Sequence, residues 1–301
     1  MKYNYKYEDW REAGKLSYAA LQYAKAMIKP GVRLIDVAEA TEAYIKEHGQ
    51  STAFPVNLSI NENAAHYTPK TNDATVFSES DVVKIDFGTR KGTGSGDCAI
   101  TVDLSGRYTK LVEASEEALQ AALSVVKAGR RLGEIGAEIE KVAKEKGFIP
   151  IKNLGGHALT ERELHADIFI PNFDNHDDTV LEEGQIAAIE PFMTMPNGSG
   201  YVEEGSTIEI FQKLGEAEVR SQSARDIANY IDSNFGTFPF AVRWLTKRFG
   251  DEFTVRKALN EIGANGAIDA FPVLVEKKKA VVAQTEVSFI VEKDSCEVLT
   301  K

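Results

Sequence analysis

The sequence predicts an α+β domain of two pseudo-symmetric halves whose sheet is backed by helices. Three observations predict it: a repeat at an offset of 98 residues, β-branched runs of strand length between and after the repeats, and a helical stretch that only one half possesses. With 301 residues, 43% of them hydrophobic, the chain can bury a full core, and a single domain over residues 1–301 is expected.

Residues 20–49 and 118–147 align with twelve identities in thirty positions, where average residue usage would give about two. Leu34, Val37, Thr41 and Ile45 recur as Leu132, Ile135, Ile139 and Ala143, one helix face at spacings of three and four. Gly31 and Gly129 recur as well, and each can end one helix before the next begins. Each half therefore supplies two helices.

The strand candidates are residues 81–86, 98–102, 186–189 and 287–291. From Gly205 to Ala270 the texture changes. Ala224, Ile227, Ala228 and Ile231 predict one helix closed by Gly236, and Thr254 to Ile262 predict a second ending before Gly263. No Ser/Gly-rich or Pro-rich tether flanks this stretch, so residues 205–270 read as a helical insertion within the domain.

A formal net charge of −11 disfavours nucleic acid as a partner, because phosphate contacts need clustered Lys and Arg. Cys98 and Cys296 lie far apart and outside any CxxC pattern, which suits a reducing compartment, so a cytoplasmic location is expected. The residues from Met1 include no apolar leader, and no stretch approaches the roughly 18 uncharged apolar residues that span a bilayer. Neither secretion nor membrane insertion is expected.

The acids near the strands carry the chemistry. Asp86 closes one run and Asp97 precedes the next, across a segment holding Gly88, Gly92, Gly94 and Gly96 that predicts a hairpin. Two readings of this pair stand: solvated turn residues, or buried like charges that share a proton or a cation. Glu190 follows an apolar run and Glu286 precedes one, where each needs a partner or faces solvent. His157 follows Gly155 and Gly156, whose small size permits a buried histidine. Taken together, four carboxylates and one imidazole spread over both halves suit two divalent ions such as Mn, Fe(II), Co or Zn.

These five positions sit in four ordered segments: FPVNLSINENAAHYTP (54–69), VKIDFGTRKGTGSGDCAITVD (83–103), NLGGHALTERELHADIFIPN (153–172) and AAIEPF (187–192). In spacing and flanking residues the chain resembles, over essentially its whole length, the methionine aminopeptidases of the pita-bread (creatinase/aminopeptidase) fold. The 96 residues between Glu190 and Glu286, with GTFPFAVRWL at 236–245, resemble the insertion of the type 2 branch. With no basic extension ahead of Met1, the compact archaeal-type form is expected.

The resemblance implies a curved antiparallel sheet and removal of N-terminal methionine from nascent chains with small second residues. Asp86 and Asp97 would chelate one ion, while Asp97 and Glu286 bridge to a second held by His157 and Glu190. Glu190 would shuttle a proton, and His66 and His165 would orient the scissile amide and stabilise the developing oxyanion. Phe54, His66, Leu164, His165, Phe192 and Phe271 would line the methionine pocket, although without the resemblance the three phenylalanines read as core aromatics. His48, near a helix end, and His176, in an Asn-His-Asp-Asp turn, are weaker candidates. A monomer, with transient ribosome association and no need of nucleic acid or membrane, completes the expectation.

Two departures from the family pattern are visible. Thr285 and Val287 flank Glu286 where phenylalanine and histidine are usual, which puts the surroundings of that ligand and the pocket entrance in question. Cys98 stands beside Asp97 where threonine is commoner, and a thiol there is expected to make the site sensitive to oxidation or heavy metals. Two rival readings share the fold: a proline-specific aminopeptidase or prolidase, and a non-catalytic binding protein.

Overall fold

The computed structural model of the chain describes residues 3–264 and 266–301. Met1, Lys2 and Asn265, which the expected domain and insertion include, lie outside the described residues. No helix among the described residues is long and apolar enough to cross a membrane.

The repeat forms two helix pairs: α1 (Tyr7–Met27) with α2 (Leu34–Glu47), and α3 (Thr109–Val125) with α4 (Leu132–Lys146). The turn between the helices is clasped in the same way in both. Gly31 N–H donates to Phe77 O and Leu34 N–H to Thr75 O in the first half, and Gly129 N–H donates to Leu181 O and Leu132 N–H to Thr179 O in the second. Gly31 and Gly129 have φ of +83° and +79°, which explains why the repeat retains glycine there. Each pair buries its apolar face in its own core, with Leu34, Val37 and Ile45 in one and Leu132, Ile135 and Ile139 in the other.

Both cores lie against one nine-stranded antiparallel sheet. Its central path runs Val82–Lys91, Gly94–Asp103, Glu286–Val291, Ile186–Ile189, Gly155–Ala158, Ala166–Pro171. The Glu286–Val291 strand is inserted between the halves, pairing with Gly94–Asp103 on one side and Ile186–Ile189 on the other.

The glycine-rich segment differs from expectation. Asp86 and Asp97 lie inside ten-residue strands, and the turn is confined to Gly92 and Thr93. Gly96 serves close approach: a Cβ there would lie 2.6 Å from Gly14 Cα of α1. The small residues let α1 lie directly on the hairpin.

The insertion opens on the strand Val202–Lys213 and closes on its antiparallel partner Ile268–Glu276, so its ends are sheet. Between them stand α5 (Gln222–Asn234), α6 (Val242–Phe249) and α7 (Glu252–Gly263), packed around Ile227, Ile231, Phe240, Leu245 and Leu259. The sequence predicts two of these three. Helix α6 is eight residues long and has no side-chain N-cap, so local signals for it are weak, and Gly263 belongs to α7 rather than following it. The Ile268–Glu276 strand also pairs with Asn63–Ala65, bringing the insertion beside His66.

Two glycine substitutions separate the two uses of glycine. Gly31→Ala, which meets nothing within 4 Å, is expected to cost about 1 kcal/mol for its left-handed backbone. Gly96→Ala should cost about 3 kcal/mol from overpacking against α1. Urea unfolding of both variants checks the ranking, and the reverse order would refute the close-packing account.

Candidate active site

Five neighbouring strands deliver five chemically distinctive side chains to one place. Across the sheet these are Asp86, Asp97, Glu286, Glu190 one residue past Ile186–Ile189, and His157. Their register follows from the pairing: Asp86 and Glu286 both sit opposite Ala99, Asp97 opposite Gly88, and His157 opposite Ala188. Asp86 and Asp97 are thus diagonal neighbours on one face. Two triads of ligand atoms form, Asp97 with His157 and Glu286, and Asp86 with Glu190 and Glu286, each within 4.8 Å. Glu286 is common to both. His157 Nε2 lies 3.6 Å from Asp97 Oδ2 and 4.0 Å from Glu190 Oε1.

Among the described residues no lysine or arginine lines this cavity. Burial therefore pushes the Asp86 carboxyl up to about 6. Burial, then repulsion from Asp86, holds Asp97 well above the usual carboxylate range. Glu190 is raised well by burial and then by Asp86 and Asp97, and Glu286 by burial and then by Asp97, Glu190 and Asp86. Asp97 Oδ1 is buried without a hydrogen-bond partner. Concentrated carboxylates, an orphaned oxygen and a neutral imidazole fit divalent cations.

The histidines are shifted the other way. Burial lowers His157 and His66 to about 4, and lowers His165 well below the ordinary histidine value with help from His157 and His66. All three are neutral at pH 7. His157 Nδ1 is 3.3 Å from Ala158 O and His66 Nδ1 is 3.2 Å from Pro272 O. A carbonyl only accepts, so each Nδ1 carries the proton and each Nε2 presents a lone pair. For His157 that lone pair faces the acids.

The cavity beside this cluster has a volume of about 430 Å³. Phe54, His66, Leu164, His165, Phe192 and Phe271 all line it together with the five ligand candidates. Phe271 packs edge-on against His66, with centroids 5.4 Å apart, and His165 lies 4.3 Å from His157. His66 has φ of +66°, a strained backbone for a residue with a Cβ. His48 caps α2 and His176 pairs with Asp174 at 3.2 Å, both apart from the cavity.

Sequence reasoning missed two residues of the site. Gln284 Nε2 donates to Asp86 Oδ2 at 3.0 Å and to Glu190 Oε2 at 3.1 Å, tying two candidate ligands together. Asn57 lines the cavity opposite Asp86, with its buried Oδ1 unpartnered. Gln284 stands two residues before Glu286 and Asn57 within the first segment quoted, but only the strand register marks their roles.

Two concerns raised by the sequence change. Cys98 is fully buried on the face opposite Asp97, and burial, then Asp97, Glu286 and Asp86, push its thiol well up. It does not reach the cavity, so the expected sensitivity to oxidants and heavy metals has no route. Thr285 turns away to meet Ser115 Oγ at 2.8 Å, and Val287 packs with the second core, so neither shapes the pocket entrance.

Comparison with known proteins agrees with this geometry. The model for metallopeptidase family M24 matches residues 8–214. A methionine aminopeptidase of Archaeoglobus fulgidus is 43% identical over 290 residues, covering 96% of this chain and 97% of that one. One from Methanocaldococcus jannaschii is 39% identical over 295 residues, covering 98% of each. Among solved structures, that of a thermophilic Arx1 has a TM-score of 0.86 at 18% identity, covering 97% of this chain and 90% of that chain, and shows the shared fold.

Protons and cations should compete for the acids. With folded values raised, the carboxyls' contribution to stability in metal-free protein is full below about pH 4 and is lost as pH rises, through about 6 for Asp86 and through the raised ranges of the other three. A bound divalent cation replaces those protons. The gain in Tm on adding Mn or Co is therefore expected to grow from about pH 5 to about pH 8, with protons released on binding. Scanning calorimetry across that range checks this, and a gain that shrinks with pH would contradict it.

Proposed function

The chain belongs to metallopeptidase family M24, and we propose that it is a metallo-aminopeptidase that removes the N-terminal methionine from polypeptides. The observation that carries the reading is a cluster of four buried or part-buried carboxylates and one neutral imidazole at the wall of an aromatic-lined pocket.

Family membership implies divalent metal ions. We propose two, drawn from Mn, Fe(II), Co and Zn, held by Asp86, Asp97, His157, Glu190 and Glu286; their ligand atoms group as Asp97, His157 and Glu286 and as Asp86, Glu190 and Glu286, not with Asp86 and Asp97 as the pair that the resemblance implies. When bound, such ions lower the pKa of water and polarise a carbonyl oxygen. His157 holds its lone pair toward the cluster through its bond to the Ala158 carbonyl. Gln284 keeps the carboxylates of Asp86 and Glu190 from rotating apart.

The two free histidines divide the peptide bond between them. His66, protonated at Nδ1, accepts the N–H of the scissile amide at Nε2. His165 donates to the carbonyl oxygen as negative charge develops there. Glu190, raised by its surroundings, carries a proton to the leaving amine. Phe54, Leu164, Phe192 and Phe271 exclude water and pack against the thioether of methionine.

The proposal extends to small second residues such as Gly, Ala, Ser, Thr and Val. It extends also to a cytoplasmic monomer acting on nascent chains in transient contact with the ribosome, and the two free cysteines suit the reducing compartment.

Methionine release from a Met-Ala-Ser peptide, measured on metal-stripped protein titrated with Mn, Co, Fe(II) and Zn, tests the reading. Release should require metal, fall at least about 100-fold in Glu190→Ala, and be slower from Met-Leu and Met-Lys peptides. Cleavage of an Xaa-Pro peptide without methionine release would shift the substrate to that of a prolidase.

A further inference from the structure

Glu42 and Glu140 occupy the same position of the repeat, but their surroundings differ. Glu140, about as exposed as Glu42, lies 2.8 Å from Lys144 on its own helix. Glu42 instead meets the insertion. The guanidinium of Arg243, from α6, forms a buried ion pair with it, and Trp244 Nε1 donates to its other oxygen at 2.8 Å.

From this pair the hydrogen bonds run into the site. Arg243 Nη1 donates to Thr68 Oγ1 at 2.6 Å and to the Pro69 carbonyl at 3.4 Å. Thr68 Oγ1 donates to the Val56 carbonyl at 2.8 Å, and Val56 N–H returns to Glu42 Oε1 at 3.4 Å. The ring is closed. One side lies two residues from His66, and the other lies between Phe54 and Asn57, both in the cavity wall.

A buried ion pair adds little net stability over apolar residues of the same volume, and this one leaves Arg243 Nε unpartnered. What it adds is direction, since a planar guanidinium fixes two N–H vectors at once. His66 has need of that, because its φ of +66° persists only where the surroundings hold it.

Relying on the aminopeptidase reading for what His66 does, we infer that the ring of Glu42, Arg243, Thr68 and Val56 is the device through which the insertion positions His66 and the Phe54–Asn57 wall. Arg243 and Thr68 are positioning residues for the reaction.

Thr68→Val removes the ring's hydroxyl while leaving the ion pair in place, and Glu140→Gln is the control at the matching position of the repeat. Assays run well below the unfolding transition should show kcat on Met-Ala-Ser about tenfold lower in Thr68→Val, with KM within about threefold of the parent. In a His66→Ala background Thr68→Val should add no further loss. The ring ¹⁵N signals of His66 in the metal-free full chain should shift in Thr68→Val and stay in place in Glu140→Gln. An unmoved His66 signal overturns the inference, as does a Thr68→Val loss that multiplies with that of His66→Ala. Because the signal is read without turnover, a parent enzyme that releases no methionine would count against the aminopeptidase reading while the ring is still judged by the shift.

Discussion

Mutual repulsion among four carboxylates in a cavity that no lysine or arginine lines among the described residues is the constraint on which the rest of the molecule depends. Two like charges about 4 Å apart repel by about 4 kcal/mol even at an effective dielectric of about 20. No flexible loop would hold Asp86, Asp97, Glu190 and Glu286 together against that. Hydrogen-bonded strands do so, because a ladder fixes the backbone beneath each acid, and only protons or cations remain to relieve the charge. The hairpin of two ten-residue strands that carries Asp86 and Asp97 is pinned in that frame by α1 lying on Gly96.

The duplicated halves account for where the site falls. Each half forms its own helical core, and the sheet runs through both. The Glu286–Val291 strand joins them from the far end of the chain, so Glu286 arrives between the acids of the first half and the Glu190 and His157 of the second. That is why one carboxylate belongs to both candidate triads. The insertion breaks the symmetry by pairing one member of the repeat, Glu42, with its own Arg243 and Trp244, whereas the matching Glu140 pairs with a lysine of its own helix.

Much of this was legible in the sequence, and the misses have physical causes. The repeat is visible because Gly31 and Gly129 need positive φ and because one helix face must stay apolar in each half. The hairpin's extent was misjudged because glycine marks both turns and close backbone approach, and only a packed helix tells them apart. Helix α6 is eight residues long and carries no side-chain cap, so little in the local sequence marks it apart from the partners that Arg243 and Trp244 find on Glu42. Gln284 and Asn57 act through contacts across the sheet, and no local pattern encodes a bond between residues 198 positions apart. Cys98 illustrates the reverse: adjacency to Asp97 in sequence suggested shared exposure, whereas strand alternation puts neighbours on opposite faces.

Burial acts on acids and histidines with opposite sign, and the site uses both effects at once. Desolvation raises these four carboxyls and lowers the three imidazoles, so the metal-free cluster favours their neutral forms. Divalent cations reverse the shift for the acids by replacing their protons. They do not reverse it for the histidines, since an added positive charge disfavours imidazolium still further. The loaded site would then hold ionised carboxylates beside neutral imidazoles at one pH, as metal ligation and amide recognition both require. The carbonyls of Ala158 and Pro272 complete the assignment by holding the proton on Nδ1, leaving the Nε2 lone pair of His157 toward the cluster and that of His66 unprotonated.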